Sequence, residues 1–323
     1  MNFQCLWLLV SSSQWLAASF RVSSKITRLV MSANGASSIR VFDNVMSEES
    51  CLQLDERLTA QLDTYGSRHH LYYRNETPNC LLEFSLDSIL KQLGDPSPIV
   101  EYWFRDEWLN LELHRDCDEL LLQENGTLRY PENGHIYYLY SGSQVCGPTL
   151  IFNDESSLPP LQTKLTDVTI VPAKSNRLVT FNGTLAHAVV RPPFAYYDES
   201  EGGSNLELFI RKGRPTTLGD KRSVVLFNTW TEPPLAIGRG SVKENDMTNI
   251  INEKSEWVTQ SIAVQETVPT TKYINFMVPL LGTKHRRGGV ETSLRFLIDS
   301  SSREKIVDKE SVSRFTLKPV TKD

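Results

Sequence analysis

The segment Trp108-Leu109-Asn110-Leu111-Glu112-Leu113-His114-Arg115-Asp116 alternates between apolar and polar residues along most of its length. Because alternate side chains of a β-strand share one face, this pattern predicts a strand with two unlike faces. The apolar face consists of Leu109, Leu111 and Leu113, and the polar face consists of Asn110, Glu112, His114 and Asp116. A polar face of this kind is usually a solvated surface, and otherwise it lines a polar pocket.

A metal site is one use for such a pocket. His114 and Asp116, two residues apart on one strand face, place a nitrogen and a carboxylate oxygen at a separation that suits one metal ion. The triplet is a weak signal alone. His187 offers a third ligand, because a turn, a strand and a Gly-containing corner lead from Pro172 to a second strand that opens with this histidine. By itself His187 would more often be an ordinary core or surface histidine, but two histidines and one carboxylate form the facial triad of non-haem iron(II) oxygenases.

A candidate anion-binding residue, Arg222, begins the apolar segment that ends at Trp230. The segment predicts a strand in which Val224, Leu226 and Asn228 share the face of Arg222. If Arg222 points inward it needs an anion, since a buried unpaired guanidinium is very costly. A dicarboxylate would supply one through a bidentate salt bridge. An arginine at a solvated strand edge is the alternative interpretation.

Short β-rich segments separated by Gly, Pro, Asn and Asp fill the region from Trp103 to Trp230 and predict a sandwich, barrel or jelly roll. Before them, the sequence predicts a strand at 39–45, a helix opening at 47–50 and a second helix at 86–93 that ends at Gly94. The predicted strands of the β-rich region and of the stretch after it are 108–114, 135–140, 149–152, 169–171, 178–182, 187–190, 223–230, 273–281 and 291–298. Residues 198–219 are polar and turn-rich, which predicts an inserted loop.

The bulk composition is that of a globular protein: 323 residues, 40% hydrophobic and 23% charged. A net charge of −5 argues against a nucleic-acid partner, and no apolar run is long enough to predict a stable membrane span. Five scattered cysteines without a CxxC pair predict reduced, mostly buried thiols.

Residues 1–38 have the composition of a targeting segment, with basic and serine residues and no acid before Asp43. They predict delivery to an organelle, a plastid or a mitochondrion, with the secretory pathway as another destination. An ordinary N-terminus is the alternative. The predicted organisation is therefore a targeting segment at 1–38, a jelly-roll domain at 39–235 and a C-terminal extension at 236–323.

In combination these motifs resemble the iron(II)/2-oxoglutarate-dependent dioxygenase superfamily, and within it the prolyl 4-hydroxylase-like branch. The resemblance covers about residues 39–235 and rests on six segments in the family's order: Val41–Cys51, His114–Asp116, His135–Tyr140, Gly147–Phe152, Pro172–His187 and Arg222–Trp230. The family usually has an aromatic residue where this chain has Leu111, and a glycine where it has Pro148. The family's basic residue that binds 2-oxoglutarate also follows the distal histidine more closely than Arg222 follows His187. Arg191 and Lys221 are therefore alternative candidates for this role.

The resemblance implies a mainly β fold with flanking helices, the double-stranded β-helix (jelly roll, cupin-like). It implies Fe(II) on His114, Asp116 and His187, and 2-oxoglutarate held by Arg222 with Tyr138 and Thr149 lining its pocket. O2 would be the oxidant, with succinate and CO2 as co-products and ascorbate as a reductant. The substrate would be a protein side chain (prolyl-like) or a small molecule.

Two alternatives remain open from the sequence. One is a jelly-roll protein that binds or senses through a degenerate site, and the other is a metal-dependent hydrolase or isomerase on the same barrel.

Overall fold

The structure, a computed structural model, describes residues 39–62, 68–106, 111–142, 148–154, 165–189, 221–235 and 237, with the strands of the C-terminal stretch. The predicted targeting segment 1–38, the predicted inserted loop 198–219 and Arg191 lie outside the described residues. None of the helices in the described ranges is long and apolar enough to cross a membrane.

In the part of the chain that the structure describes, the elements are strands with three interspersed helices. In chain order they are β1 (Ile39–Asp43), α1 (Glu48–Ala60), β2 (His70–Tyr73), α2 (Leu81–Leu93), β3 (Ile99–Arg105), β4 (Leu111–His114), α3 (Glu119–Asn125), β5 (Asn133–Ser141), β6 (Thr149–Asp154), β7 (Leu165–Val171), β8 (Arg177–Asn182), β9 (Ala186–Val189), β10 (Arg222–Trp230), β11 (Gln260–Ile262), β12 (Gln265–Glu266), β13 (Tyr273–Pro279), β14 (Ser293–Asp299) and β15 (Ser313–Thr316).

The described strands β13 and β14 pair only with each other, and two larger sheets form the body of the fold. One has seven strands in the order β11-β1-β8-β5-β10-β3-β2, and the other has six in the order β12-β15-β7-β6-β9-β4. Neighbouring strands are antiparallel apart from the short β12–β15 pair. This arrangement confirms the predicted jelly roll with flanking helices. In the C-terminal stretch, β11 pairs with β1 and β15 pairs with β7, so these two strands extend the two larger sheets.

The seven-stranded sheet has two apolar faces, because it is covered on both sides. Its outer face packs against α1 and α2. The sheet contributes Tyr102, Tyr137 and Phe227 to this core, and the helices contribute Leu54 and Leu86. Its inner face, defined here as the face turned toward the six-stranded sheet, packs through a second core. That core contains Ile136, Tyr138, Val179, Phe181 and Val224 together with Ile151 and Val171 of the six-stranded sheet.

The helix ends show where local sequence signals are strong and where they are weak. Ser47 caps α1 by accepting a hydrogen bond from the Ser50 amide, as predicted from the Ser-Glu-Glu-Ser segment. The helix α2 ends at Gly94, which has a φ of 70°, again as predicted. It begins five residues before the predicted Leu86. Cys80 at the N-cap accepts the Glu83 amide through its sulfur, and the Glu83 carboxylate accepts the amide of Asn79, the residue before the cap. The strands β2 and β3 and the short helix α3 were not predicted.

A buried ion pair joins the first strand to the sheet. Arg177, which is completely buried, donates from Nε to Asp43 Oδ1 at 2.6 Å and from Nη2 to Oδ2 at 3.0 Å. Asp43 and Arg177 are register partners of β1 and β8. The pair thereby fixes this register with a bidentate contact.

Replacing Asp43 should leave the Arg177 charge buried with its principal partner missing. We expect Asp43→Ala to lower the free energy of unfolding by about 3–5 kcal/mol, measured by urea denaturation. Lys174 also contacts Asp43, at 3.0 Å, but its side chain is partly exposed. Lys174→Ala is therefore the control, with an expected loss below about 1 kcal/mol. Equal losses in the two variants would contradict a central role for the buried pair.

His135 gives the fold a dependence on pH. It is buried, stacks on Phe227 at 4.4 Å, and neither ring nitrogen has a hydrogen bond within the described residues. Burial lowers its pKa below the ordinary value, against the opposing charge of Asp95. Below pH ~6.5 the unfolded chain therefore takes up a proton at His135 that the folded chain does not. The free energy of unfolding consequently decreases as the pH is lowered.

The variant His135→Phe should remove this dependence while keeping the stacked ring. Between pH 6.5 and pH 5 we expect the free energy of unfolding of wild type to fall by up to about 2 kcal/mol more than that of the variant. Urea denaturation at a series of pH values measures the difference. Parallel curves for the two proteins would show that His135 does not contribute.

Candidate metal centre

Three side chains that could hold a metal ion meet between the sheets at β4 and β9. The antiparallel pairing of these strands places His114 directly opposite His187, with ring centroids 4.3 Å apart. Asp116 follows β4, with Oδ1 3.7 Å from His114 Nε2 and Oδ2 3.9 Å from His187 Nε2. One ligand atom from each residue lies within 4.8 Å of the other two. The structure thus brings together all three predicted ligands, called the metal triad below.

Asn228 supports the metal triad from the opposite sheet. Its Nδ2 donates a hydrogen bond to Asp116 Oδ2 at 3.2 Å. Asn228 lies on β10 and is buried. A hydrogen bond to one carboxylate oxygen restricts the orientation of the group and leaves the other oxygen to a metal. The sequence predicts Asn228 on the face of Arg222, but gives no signal for this contact.

The protonation states suit metal binding. Burial alone would raise the pKa of Asp116, but His187, His114 and the Asn228 hydrogen bond outweigh it and the pKa lies below its usual value. Burial and the neighbouring His114 hold the pKa of His187 below its usual value. At neutral pH the triad therefore offers a carboxylate and a neutral His187 imidazole, the forms that ligate metals. His187 Nδ1 lies 3.3 Å from the Leu185 carbonyl oxygen, which orients Nε2 toward Asp116.

The donor set is made of nitrogen and oxygen atoms. Cys117 lies next to Asp116, but burial, followed by the charges of Glu119 and Asp116, raises the pKa of its thiol to about 12. A thiol held protonated is a poor ligand. Two imidazoles and one carboxylate on one side of an ion match the facial triad of non-haem iron(II), which leaves three adjacent positions for other ligands.

Arg222 lies inside the fold with Tyr138 and Thr149. It is 4% exposed, and its guanidinium carbon is 5.1 Å from the centre of the Tyr138 ring. Tyr138 Oη and Thr149 Oγ1 are 2.6 Å apart. Within the described residues Arg222 has no ion-pair partner, and its Nε has no hydrogen bond. These three residues, called the anchor cluster below, therefore present a buried cation and two hydroxyls without a protein anion.

Lys221, a rival of Arg222 from the sequence, points the other way. Its Nζ forms an ion pair with Asp55 of α1 at 2.5 Å and donates to Thr59 Oγ1 at 3.3 Å. Its charge is thus neutralised on the outer face of the sheet. Among the described cations at the start of β10, only Arg222 is left to serve an anionic ligand.

Further polar residues lie on the inner face beside the metal triad and were not predicted. Glu101 of β3 is the register partner of Asn228 and hydrogen-bonds both Trp230 and His69. An acid within the apolar segment Ile99–Phe104 is a signal that could have drawn attention to it.

Comparisons with known proteins give loose structural likenesses. No protein-family model and no curated protein matches the chain. The crystal structure of HygX from Streptomyces hygroscopicus with nickel and 2-oxoglutarate bound matches with 14% identity and a TM-score of 0.35, over 60% of this chain and 83% of HygX. A Pseudomonas putida prolyl-4-hydroxylase matches with 11% identity and a TM-score of 0.35, over 61% of this chain and 88% of that protein. Likenesses this loose do not show a shared activity.

Removing the Asn228 amide should weaken metal binding without removing a ligand. We expect Asn228→Ala to lower the affinity for Fe(II) or Co(II) by about 10- to 100-fold, the usual effect of losing a residue that orients a metal ligand. Anaerobic titration by calorimetry measures it. Thr231→Ala, an exposed position just beyond β10, is the control and should bind as wild type does. Unchanged affinity in Asn228→Ala would contradict an orienting role.

Proposed function

We propose that this protein is an iron(II)- and 2-oxoglutarate-dependent dioxygenase that hydroxylates a protein side chain, prolyl-like, or a small molecule. The observation that carries the proposal is that the metal triad and the anchor cluster both lie between the two larger sheets. The metal triad supplies a face of two nitrogens and one oxygen, and the anchor cluster supplies a buried arginine without a described protein anion.

The strand registers support a spacing suited to one small dicarboxylate. Ile151 of β6 is the register partner of His187 in β9, and Thr149 lies two residues farther along the same face. Two residues of a strand span about 7 Å. Because Thr149 contacts Tyr138, which lies against Arg222, the anchor cluster lies about one such length from the metal triad. A five-carbon dicarboxylate is of this size.

In this proposal the residues of the chain bind and orient. When bound, iron(II) and 2-oxoglutarate supply the dioxygen chemistry, with succinate and CO2 as co-products and ascorbate as the supporting reductant. His114, Asp116 and His187 hold the ion on one side. Arg222 pairs with the far carboxylate, and Tyr138 and Thr149 offer hydroxyl donors beside it.

Tyr138 of the anchor cluster belongs to a buried apolar core that joins the two larger sheets. The seven-stranded sheet contributes Ile136, Val179, Phe181 and Val224 to this core, and the other sheet contributes Ile151 and Val171. Exclusion of water strengthens the pairing of Arg222 with a carboxylate and limits side reactions.

Succinate release from 2-oxoglutarate tests the proposal. We expect the full chain, reconstituted anaerobically with Fe(II) and ascorbate and then given O2, to release succinate slowly even without its substrate. His187→Ala should abolish this activity because a metal ligand is lost. Arg222→Ala should raise the 2-oxoglutarate concentration for half-maximal rate by about 10-fold or more, with rescue at high concentration, because a charge-assisted bidentate contact is lost.

Lys221→Ala is the matched control for Arg222→Ala, since it removes the neighbouring charge that pairs with Asp55. Its half-saturating 2-oxoglutarate concentration should stay within about twofold of wild type. Tight binding of iron and 2-oxoglutarate with no succinate would instead favour the binding or sensing protein. Failure to bind iron would remove the proposal altogether.

A further inference from the structure

A second polar cluster borders the metal triad on the inner face and takes no part in holding the metal or the anchor. Glu101, in the middle of β3, is 5% exposed and lies directly across from Asn228 of β10. Register partners of adjacent strands share a face, with Cβ atoms about 5 Å apart. Asn228 also donates a hydrogen bond to Asp116, so it is the common neighbour of Glu101 and a candidate metal ligand.

Both oxygens of Glu101 are occupied. Oε2 accepts a hydrogen bond from Trp230 Nε1 at 2.9 Å, and Oε1 lies 2.6 Å from His69 Nδ1. A carboxylate can only accept, so the hydrogen between Glu101 and His69 belongs to Nδ1. In the neutral imidazole this leaves the lone pair on Nε2, the nitrogen that points away from Glu101.

His69 is held in place on a second side by an aromatic ring. Its imidazole stacks on the indole of Trp103, with centroids 4.2 Å apart and planes within 2°. Trp103 lies on β3 two residues from Glu101 and is buried. An exposed histidine would ordinarily sample several rotamers, so two fixed contacts indicate that a particular direction of Nε2 is maintained.

His69 lies at the solvent side of the metal triad. The exposed fraction of the side chain rises from 7% in His187 to 24% in Asp116 and 43% in His69. Leu71 of β2 is the register partner of Glu101, and His69 precedes it by two residues, so His69 lies on the sheet face that carries Glu101 and Asn228. Within the described residues, Nε2 of His69 has no hydrogen-bond partner.

We propose that His69, positioned by Glu101 and Trp103, contacts the substrate and accepts a hydrogen bond from one of its N–H or O–H groups. The inference rests on the proposed function, because it assigns the open side of the metal triad to the substrate. The buried acid and the stacked indole hold the exposed His69 ring in one orientation. One ring nitrogen contacts Glu101, and the other is left available to a ligand on the side of the ring away from this acid. The residue thus selects substrates that carry a hydrogen-bond donor close to the oxidised carbon.

Nitrogen-15 spectra of histidine in the full chain test the geometry. The protein is loaded with zinc, which is redox-inert, and studied at pH about 8.5, where an ordinary imidazole is neutral. His69→Gln assigns the signals of His69. We expect hydrogen on Nδ1 and the lone pair on Nε2 in wild type. Glu101→Gln should disturb this tautomer, whereas Glu232→Gln, the same change at an exposed carboxylate, should leave it unchanged. Hydrogen on Nε2 in wild type would overturn the proposal.

Small probes test the chemistry of recognition. N-methylacetamide carries one N–H, N,N-dimethylacetamide has the same carbonyl without it, and ethylene glycol offers O–H groups. We expect at least one donor probe to shift the Nε2 signal in a saturable manner, with dimethylacetamide needing about fivefold more or having no effect. The probe that binds distinguishes an amide donor from a hydroxyl donor. No shift with any probe, or equal shifts with both acetamides, would overturn the proposal.

These spectra involve no turnover, so they are independent of the succinate assay. A saturable donor-specific shift in a protein that releases no succinate would contradict the proposed oxygenase activity and support a binding site for a donor group. Succinate release without such a shift would support the oxygenase activity and contradict the proposed role of His69.

Discussion

The antiparallel register of β4 and β9 is the constraint on which the site depends, because it sets His114 opposite His187. A slip of one residue in either strand would turn one imidazole to the other face of the sheet and separate the ligand atoms. Asp116 reaches the same point because it continues the alternation of β4 by two residues. The neighbouring pairing of β6 with β9 then places Thr149 at a fixed distance from His187. The strand pairings thus position His114, His187 and Thr149, and Asp116 lies two residues beyond the end of β4.

Strand β10 connects the parts of the site. It carries Arg222 at its start, Asn228 near its end and Trp230 as its last residue, in contact with Tyr138, Asp116 and Glu101 respectively. The alternate side chains, among them Val225 and Phe227, are buried in the core that packs against α1 and α2. The helices therefore hold the outer face of β10 rigid, and the inner face can position polar groups with little freedom.

The features of the site that could be predicted from the sequence are those that depend on residues close together in the chain. The i, i+2 spacing of His114 and Asp116, the turn before His187 and the apolar segment after Arg222 are all visible in short windows. The contacts of Asn228 with Asp116 and of Glu101 with His69 join residues far apart in the chain, so no window contains them. The contact of Lys221 with Asp55, which favours Arg222 as the anion-binding residue, likewise joins residues 166 positions apart. Strand β3 was missed because an apolar segment with one acid has no clear period.

Charge balance gives the strongest physical reason to expect a dianionic ligand here. The buried Arg177 has Asp43, and Lys221 has Asp55, so each of these cations is neutralised by the protein. Arg222 is as deeply buried but faces a tyrosine ring and two hydroxyls within the described residues. A divalent ion on the metal triad would keep one positive charge after Asp116 is counted, and Arg222 would add a second. Because uncompensated charge in an apolar interior is very costly, a ligand with two carboxylates that reaches both groups would leave the interior neutral.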